Sequence, residues 1–184
     1  MSKKVQYLSI CKSFQCLANK CPSTCCRGWH IPVDSETKKR YLAMKGLKGK
    51  RLRFHLYRTN PTVIRKLYYC PFYNHSHLCQ FQCRQEMELM PLVCRVFPRE
   101  PVEYPKVIEV TLELSCIAAA KLFLEHPQRF YFEDGEEIQS IWTMENEDDD
   151  FYQFLCDDLD NLLDYLWKPP IPLYIQWQVM YQYI

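Results

Sequence analysis

The sequence is poor in glycine and contains no long apolar run. Its 184 residues include only four glycines, and no two of them form a G-x-G arrangement. The chain therefore lacks the glycine-rich turn with which a doubly wound sheet binds nucleotides. No stretch of about 18 apolar residues occurs, so the sequence predicts no membrane-spanning helix.

The first residues do not predict a secretory signal. MSKKVQYLSICKSF carries two lysines, but only a short, interrupted apolar run follows and there is no small-residue cleavage site. We therefore expect a cytoplasmic protein. Hydrophobic residues make up 48% of the chain and aromatic residues 15%, which favours a globular protein over a largely disordered one.

The length favours one domain, or one domain with an appended segment. A chain of this size buries roughly two-thirds of its unfolded surface, so it does not need cross-links to hold a core. Charge is unevenly distributed: residues 34–66 contain eleven basic and two acidic residues, and residues 133–164 contain thirteen acidic residues and no Lys or Arg. We interpret both segments as solvated faces. The alternative is that the basic segment binds an acidic partner. No nucleic acid is expected as a partner, because the sequence contains no recognisable nucleic-acid-binding motif.

Cysteine is the abundant reactive residue. Nine of the eleven cysteines lie between positions 11 and 94, mostly in segments rich in Pro, Asn, Ser and His. The number is odd, and structural disulfides do not persist in a reducing cytoplasm. Metal binding is therefore favoured over a disulfide framework.

The cysteines form four constellations. They are Cys16-x4-Cys21-x3-Cys25-Cys26, then Cys70-Pro71-Phe72 with Cys79 and Cys83, then Cys94-Arg95 followed by Phe97-Pro98-Arg99, and last Cys116. The spacings of Cys21 with Cys25 and of Cys79 with Cys83 are compatible with zinc, whereas iron–sulfur clusters tolerate wider spacings. On the residues alone, both metals stay open. The C-x3-C-x2-C triplet of radical enzymes that use S-adenosylmethionine is absent.

The pattern predicts an α+β fold that is mainly helical: a small, cysteine-rich, metal-centred domain with a short β element and a C-terminal helix. Asp34 is a helix cap for SETKKRYLAM, VIEVTLEL alternates as a strand, and CIAAAKLFLE is helical. The expected organisation is a cysteine-rich module over 1–127, an acidic linker over 128–150, and a helical segment over 151–184.

The ordered succession FQCLANKCPSTCCRGWHIPVD, CPFYNHSHLC, LVCRVFPRE and LELSCIAAAKLFL resembles the flagellin lysine-N-methylase (FliB) family. The resemblance covers roughly residues 5 to 125. The chain looks like a short or truncated member of the family. One departure is Ile117-Ala118, where the family usually has Pro-Glu after the last motif cysteine. The cysteines on motif positions, expected as metal ligands, are Cys16, Cys21, Cys25, Cys26, Cys70, Cys79, Cys94 and Cys116.

The resemblance implies methyl transfer from S-adenosylmethionine to lysine side chains of flagellin, in a protein that also holds an iron–sulfur cluster, with 4Fe–4S favoured and zinc as the alternative. Because guanidinium groups match carboxylates, Arg95 or Arg99 is the candidate for binding the cofactor carboxylate; the alternative is a local salt bridge or a solvent-facing side chain. The competing functions are a non-catalytic zinc- or iron-chelating module and an inactive remnant of a longer methylase. Cys11, Cys83 and Cys156 fall off the motif and are expected to be packing or free thiols, with Cys83 as the exception to watch because it lies between Cys79 and Cys94.

Overall fold

The computed structural model describes residues 3–57, 62–64, 68–126 and 130–143. The predicted C-terminal helical segment, 151–184, and Cys156 lie outside these residues. Within the described ranges the helices are α1 (Ser35–Ala43), α2 (Gly46–Phe54), α3 (Gln80–Cys83), α4 (Leu92–Val96) and α5 (Ile117–Glu125). The strands are β1 (Lys4–Leu8), β2 (Leu56–Tyr57), β3 (Val63–Ile64), β4 (Arg99–Glu103), β5 (Val107–Leu112), β6 (Phe132–Asp134) and β7 (Trp142–Thr143).

Five strands form a mixed sheet in the order β6-β1-β5-β4-β7. The central pair, β1 and β5, is parallel, whereas β4 joins β5 and β6 joins β1 antiparallel. Strand β5 occupies the position that the VIEVTLEL pattern predicts, and its side chains Val110 and Leu112 are buried. Helix α5 packs on this sheet where Ala119 meets Leu112 in one core cluster.

Helix α1 begins where the sequence predicts. Asp34 is its N-cap and accepts a hydrogen bond from the amide of Thr37, with 2.9 Å between nitrogen and oxygen. Its other carboxylate oxygen accepts a bond from the amide of Leu92 at 2.7 Å. One aspartate therefore caps α1 and fixes the first residue of α4 beside it.

A second core cluster lies away from the sheet and contains the side chains that later define the site. Its buried members include Ile31, Tyr41, Leu52, Cys70 and Phe81. Tyr41 and Leu52 come from α1 and α2, which pack against each other on this core. The cysteine-rich loops therefore fold around an apolar centre of their own.

The described chain is mixed α and β and is not mainly helical, which corrects the expected proportion. The strands that sequence reasoning missed, β1 and β4, are short, and β4 contains Pro101, a residue that rarely marks a strand. Residues 130–143, placed in the acidic linker, contribute strands β6 and β7 to the two edges of the sheet. No helix in the described ranges has both the length and the apolar character needed to cross a membrane.

Candidate functional site

Two cysteine segments that are far apart in sequence run side by side at the second core. The amide of Cys70 donates to the carbonyl oxygen of Cys26 at 2.7 Å, and Arg27 and Tyr69 form an antiparallel bridge next to it. Gly28 follows with φ +90, a left-handed backbone that glycine adopts without strain. The turn at Gly28 directs the chain onward to Trp29, whose indole Nε1 donates back to the carbonyl of Cys25 at 2.8 Å.

This pairing brings three thiols into contact. Cys25 shares a side-chain hydrogen bond with Cys26, and Cys26 shares another with Cys70. The bond to Cys26, reinforced by burial, raises the pKa of Cys25 above its ordinary value. The bond from Cys25 lowers the pKa of Cys26, but the bond to Cys70 and burial outweigh it and raise that pKa to about 11. Without a cation, therefore, Cys25 and Cys26 are protonated thiols.

Cys79 and Cys94 join the same core. Burial raises the pKa of the Tyr41 hydroxyl, and the nearby thiols of Cys94, Cys70 and Cys79 raise it further. Burial also raises the pKa of Cys79, with smaller contributions from Cys25 and Cys83. Five predicted ligands therefore share one neighbourhood. We call them the thiol cluster: Cys25, Cys26, Cys70, Cys79 and Cys94.

The donor chemistry of the thiol cluster fits a thiophilic metal, although the cluster is not a preformed cage. Among the described residues, no group of three or more Cys, His, Asp or Glu side chains stands in metal-holding geometry. The sulfur of Cys26 is instead hydrogen-bonded to those of Cys25 and Cys70. Four-thiolate sets are typical of structural zinc and of iron–sulfur clusters, and a metal lowers the thiol pKa by stabilising the thiolate.

The other three predicted ligands are Cys16, Cys21 and Cys116. Cys16 is exposed, with its sulfur accepting from the amide of Ala18 at 3.4 Å, and Cys21 is half-buried. Cys116 stands at the N-cap of α5 and packs against the sheet-side core. Cys116 therefore packs with the sheet-side core, while Cys16 and Cys21 lie on either side of the short turn Ala18–Lys20 that precedes Cys25.

Of the cysteines that fall off the motif, the structure describes Cys11 and Cys83, and Cys83 follows Cys79 by one helical turn. Cys11 is 1% exposed, its sulfur donates to the carbonyl of Val110, and burial raises its pKa to about 11. Cys83 is exposed and accepts a hydrogen bond from the side-chain amide of Asn74 at 3.3 Å. Cys83 therefore provides a matched control for experiments on the cluster.

The two candidate arginines are in different situations. Arg99 donates to the carbonyl of Cys11 at 3.3 Å, and its guanidinium carbon lies 5.7 Å from the centroid of the Phe14 ring. Arg95, on α4, has its Nε and Nη2 atoms buried without a hydrogen-bond partner among the described residues. The sequence alone does not separate them.

An aromatic surface beside the thiol cluster was not predicted. Tyr69 and Tyr73 stack with their ring centroids 5.4 Å apart, and Tyr68 meets Tyr69 edge-on at 4.8 Å. The Arg27 guanidinium lies 5.1 Å from the centre of the Tyr68 ring, within the range of a cation–π contact. Tyr68 and Tyr69 are 57% and 44% exposed, so this surface is open to a ligand. The signal in sequence was the pair YY directly before Cys70.

The carboxylate of Glu103, on strand β4, is already engaged. Glu103 pairs with Lys3 at 2.9 Å and accepts from Ser140. The hydrogen bond from Lys3, with that from Ser140, lowers the pKa of Glu103, which makes this carboxylate a weaker base.

Comparison with known proteins supports the resemblance. The chain is 26% identical over 139 residues to the lysine-N-methylases of Salmonella typhimurium and Salmonella choleraesuis, a match that covers 71% of this chain and 35% of each relative. The chain is distantly similar to lysine-N-methylases. It spans about a third of their length. It is also 26% identical over 127 residues to the flagellar biosynthetic protein FliU of Salmonella muenchen, covering 62% of this chain and 73% of that protein. No family model and no solved structure matches the chain.

Proposed function

We propose that this chain acts as a protein lysine N-methyltransferase that uses S-adenosylmethionine. The observation that carries the proposal is the similarity to the Salmonella lysine-N-methylases, which covers 71% of the chain. The ordered cysteine motifs support it independently, because the thiols of three of them meet in the thiol cluster. Flagellin is the proposed substrate, and the similarity to a protein named for flagellar biosynthesis supports that choice.

The proposed reaction is a direct transfer. The neutral amine of a lysine attacks the methyl carbon of the sulfonium donor; the N–C bond forms while the S–CH3 bond breaks. The electron pair of the broken bond stays on sulfur, so the donor leaves as S-adenosylhomocysteine, and the extra amine proton passes to a base or to water. Only the neutral amine carries the lone pair, so the site must favour loss of the lysine proton.

The thiol cluster is proposed to hold an iron–sulfur centre through four of its five cysteines. An iron–sulfur cluster, when bound, supplies a redox-active and strongly polarising centre whose potential depends on charge, hydrogen bonds and exposure. Trp29 covers this region, since its ring stacks on that of Phe97 with centroids 6.3 Å apart. The chain's own contribution is to bring the sulfurs together through the pairing of residues 26 and 70.

Labelled methyl transfer tests the proposal. The 184-residue chain, isolated without air, is incubated with flagellin and S-adenosylmethionine carrying a labelled methyl group. We expect label on lysine, and none on flagellin whose lysines have been acetylated chemically beforehand, because an amide nitrogen does not attack the methyl group. The variant Cys70→Ser is expected to lose transfer, whereas Cys83→Ser retains it.

The same experiment separates the competing function. A chain that binds metal on the thiol cluster yet transfers no label to any lysine is a chelating module, and the methyltransferase proposal fails. A chelating module would bind metal through the same thiols, so metal content by itself does not distinguish it from a methyltransferase.

A further inference from the structure

Arg95 has a half-buried cationic side chain, two of whose donor atoms are buried and unmatched within the described part of the chain. Its Nε and Nη2 atoms are buried, and neither has a hydrogen-bond partner among the described residues. Buried donors without partners are uncommon in native structures, and each one calls for a ligand, a water or an ion. Arg95 carries two of them on one group.

The two unpartnered atoms have a particular geometry. Nε and Nη2 lie on the same edge of the planar guanidinium, and their N–H bonds point in parallel. That edge matches the two oxygens of a carboxylate, which it binds through two parallel hydrogen bonds. A permanently charged group whose buried donors are left unpaired destabilises the free protein.

The place of Arg95 in the fold puts such a ligand beside the thiol cluster. Arg95 is on α4, and its neighbours Val93 and Cys94 pack against the core that contains Cys70. A carboxylate held by Arg95 would therefore lie next to the helix that presents one of the cluster thiols.

The other side chains with related chemistry are already accounted for. Arg99 is engaged by the carbonyl of Cys11 and the ring of Phe14. Glu86 also has one buried, unpartnered oxygen, but its other oxygen pairs with Lys48, so its charge is compensated. Arg95 differs because neither donor on its Nε–Nη2 edge is used.

We propose that Arg95 is the binding residue for a carboxylate ligand, held by its Nε and Nη2 donors. The proposal rests on the proposed function in one respect: the ligand it names is the amino-acid carboxylate of S-adenosylmethionine. Arg99 takes no part and serves as a positional control. The same chemistry would also accept an acidic side chain of the protein substrate, and the experiment separates these two sources.

Binding of two nucleosides and of acetate tests the proposal by calorimetry and thermal unfolding. S-adenosylhomocysteine carries the amino-acid carboxylate, whereas 5′-methylthioadenosine lacks it. We expect the chain to prefer S-adenosylhomocysteine by about tenfold or more, as two charge-assisted hydrogen bonds predict. Arg95→Gln should bind both nucleosides alike, and Arg99→Gln should keep the preference.

A second readout does not depend on the nucleoside. Arg95→Met removes the charge and keeps the apolar stem, so the ligand-free variant should melt at a higher temperature than the unsubstituted chain. A lower melting temperature, together with a nucleoside preference that survives in Arg95→Gln, would show that Arg95 is a structural residue and would overturn the proposal.

The experiment distinguishes an error in the proposed methyl donor from an error in the proposed role of Arg95. If the chain binds neither nucleoside, the proposed methyl donor is wrong. Acetate then decides: stabilisation by acetate that is lost in Arg95→Gln and kept in Arg99→Gln supports an acidic side chain as the ligand. Absence of any acetate effect, or equal binding of both nucleosides by the unsubstituted chain, overturns the carboxylate site.

Discussion

The amide nitrogen of Cys70 lies 2.7 Å from the carbonyl oxygen of Cys26, and this hydrogen bond joins two cysteine motifs separated by 43 residues of chain. Because the backbones are paired, the side chains of both residues are held at one core, and their thiols share a hydrogen bond. The thiol cluster is therefore a consequence of backbone pairing. Flexible loops that only happen to be rich in cysteine would not give this contact.

Asp34 is expected to make stability depend on pH in the acidic range. Burial by itself would raise the pKa of Asp34, but the amide hydrogen bonds from Thr37 and Leu92 outweigh it and lower the pKa below its ordinary value. A lowered folded-state pKa means that the stabilisation is present above the unfolded-state pKa and is lost as the pH falls through the folded-state value.

The test for Asp34 is the variant Asp34→Ala, which should cost about 1–3 kcal/mol at neutral pH because it removes a cap and a second acceptor. Urea unfolding at several pH values gives the measurement. The cost of the substitution should shrink as the pH drops below about 4. A cost that is the same at all pH values would contradict the role of the carboxylate.

Gly49 is expected to tolerate no side chain, although it lies inside α2. A Cβ at this position would stand 1.9 Å from the carbonyl oxygen of Met44, a backbone atom that cannot move aside. Gly→Ala inside a helix normally stabilises by about 1 kcal/mol, but the clash reverses the sign here. We expect Gly49→Ala to lower the free energy of unfolding by about 1–3 kcal/mol.

Leu47→Ala is the control for Gly49, because Leu47 is on the same helix and 84% exposed. It should change the free energy of unfolding by less than about 0.5 kcal/mol. Chemical denaturation of both variants decides the matter, and a stabilised Gly49→Ala protein would show that α2 does not approach Met44 in this way.

Tyr41→Phe is expected to destabilise the core that carries the thiol cluster. The Tyr41 hydroxyl is fully buried and donates to the carbonyl oxygen of Leu89 at 2.6 Å. Removing the hydroxyl leaves that carbonyl without this donor, which should cost about 1–3 kcal/mol. Tyr57→Phe, at a 53% exposed position, should be close to neutral in the same thermal-unfolding experiment. Equal effects of the two substitutions would contradict the buried hydrogen bond.

Local signals in the sequence predicted several elements correctly. The Asp34 cap and the residues after it predicted α1, alternation predicted β5, and the apolar run after Cys116 predicted α5. These elements are determined by neighbours in the chain, through capping bonds and side-chain periodicity. Helix α2, which begins at Gly46, was not predicted, because a glycine at such a position is typical of the end of a helix.

Long-range features were beyond local patterns. Strand β1 is short, and its partner β5 lies about a hundred residues away, so nothing nearby in the sequence marks it as central to a sheet. The candidate site shows the same division. Motif order identified the cysteines, yet the pairing of residues 26 and 70 brings their thiols together. Hydrogen-bond partners, which the sequence does not reveal, separate Arg95 from Arg99.

The metal content of the chain isolated without air tests the central claim, that the thiol cluster is one inorganic site, most directly. We predict iron and inorganic sulfide in equal amounts, with broad visible absorption, and loss of both in Cys70→Ser but not in Cys83→Ser. Zinc in place of iron, lost in the same variant, would retain the thiolate site and reject the iron–sulfur assignment. A folded chain that contains no metal, or one whose metal content is unaffected by Cys70→Ser, would contradict the account.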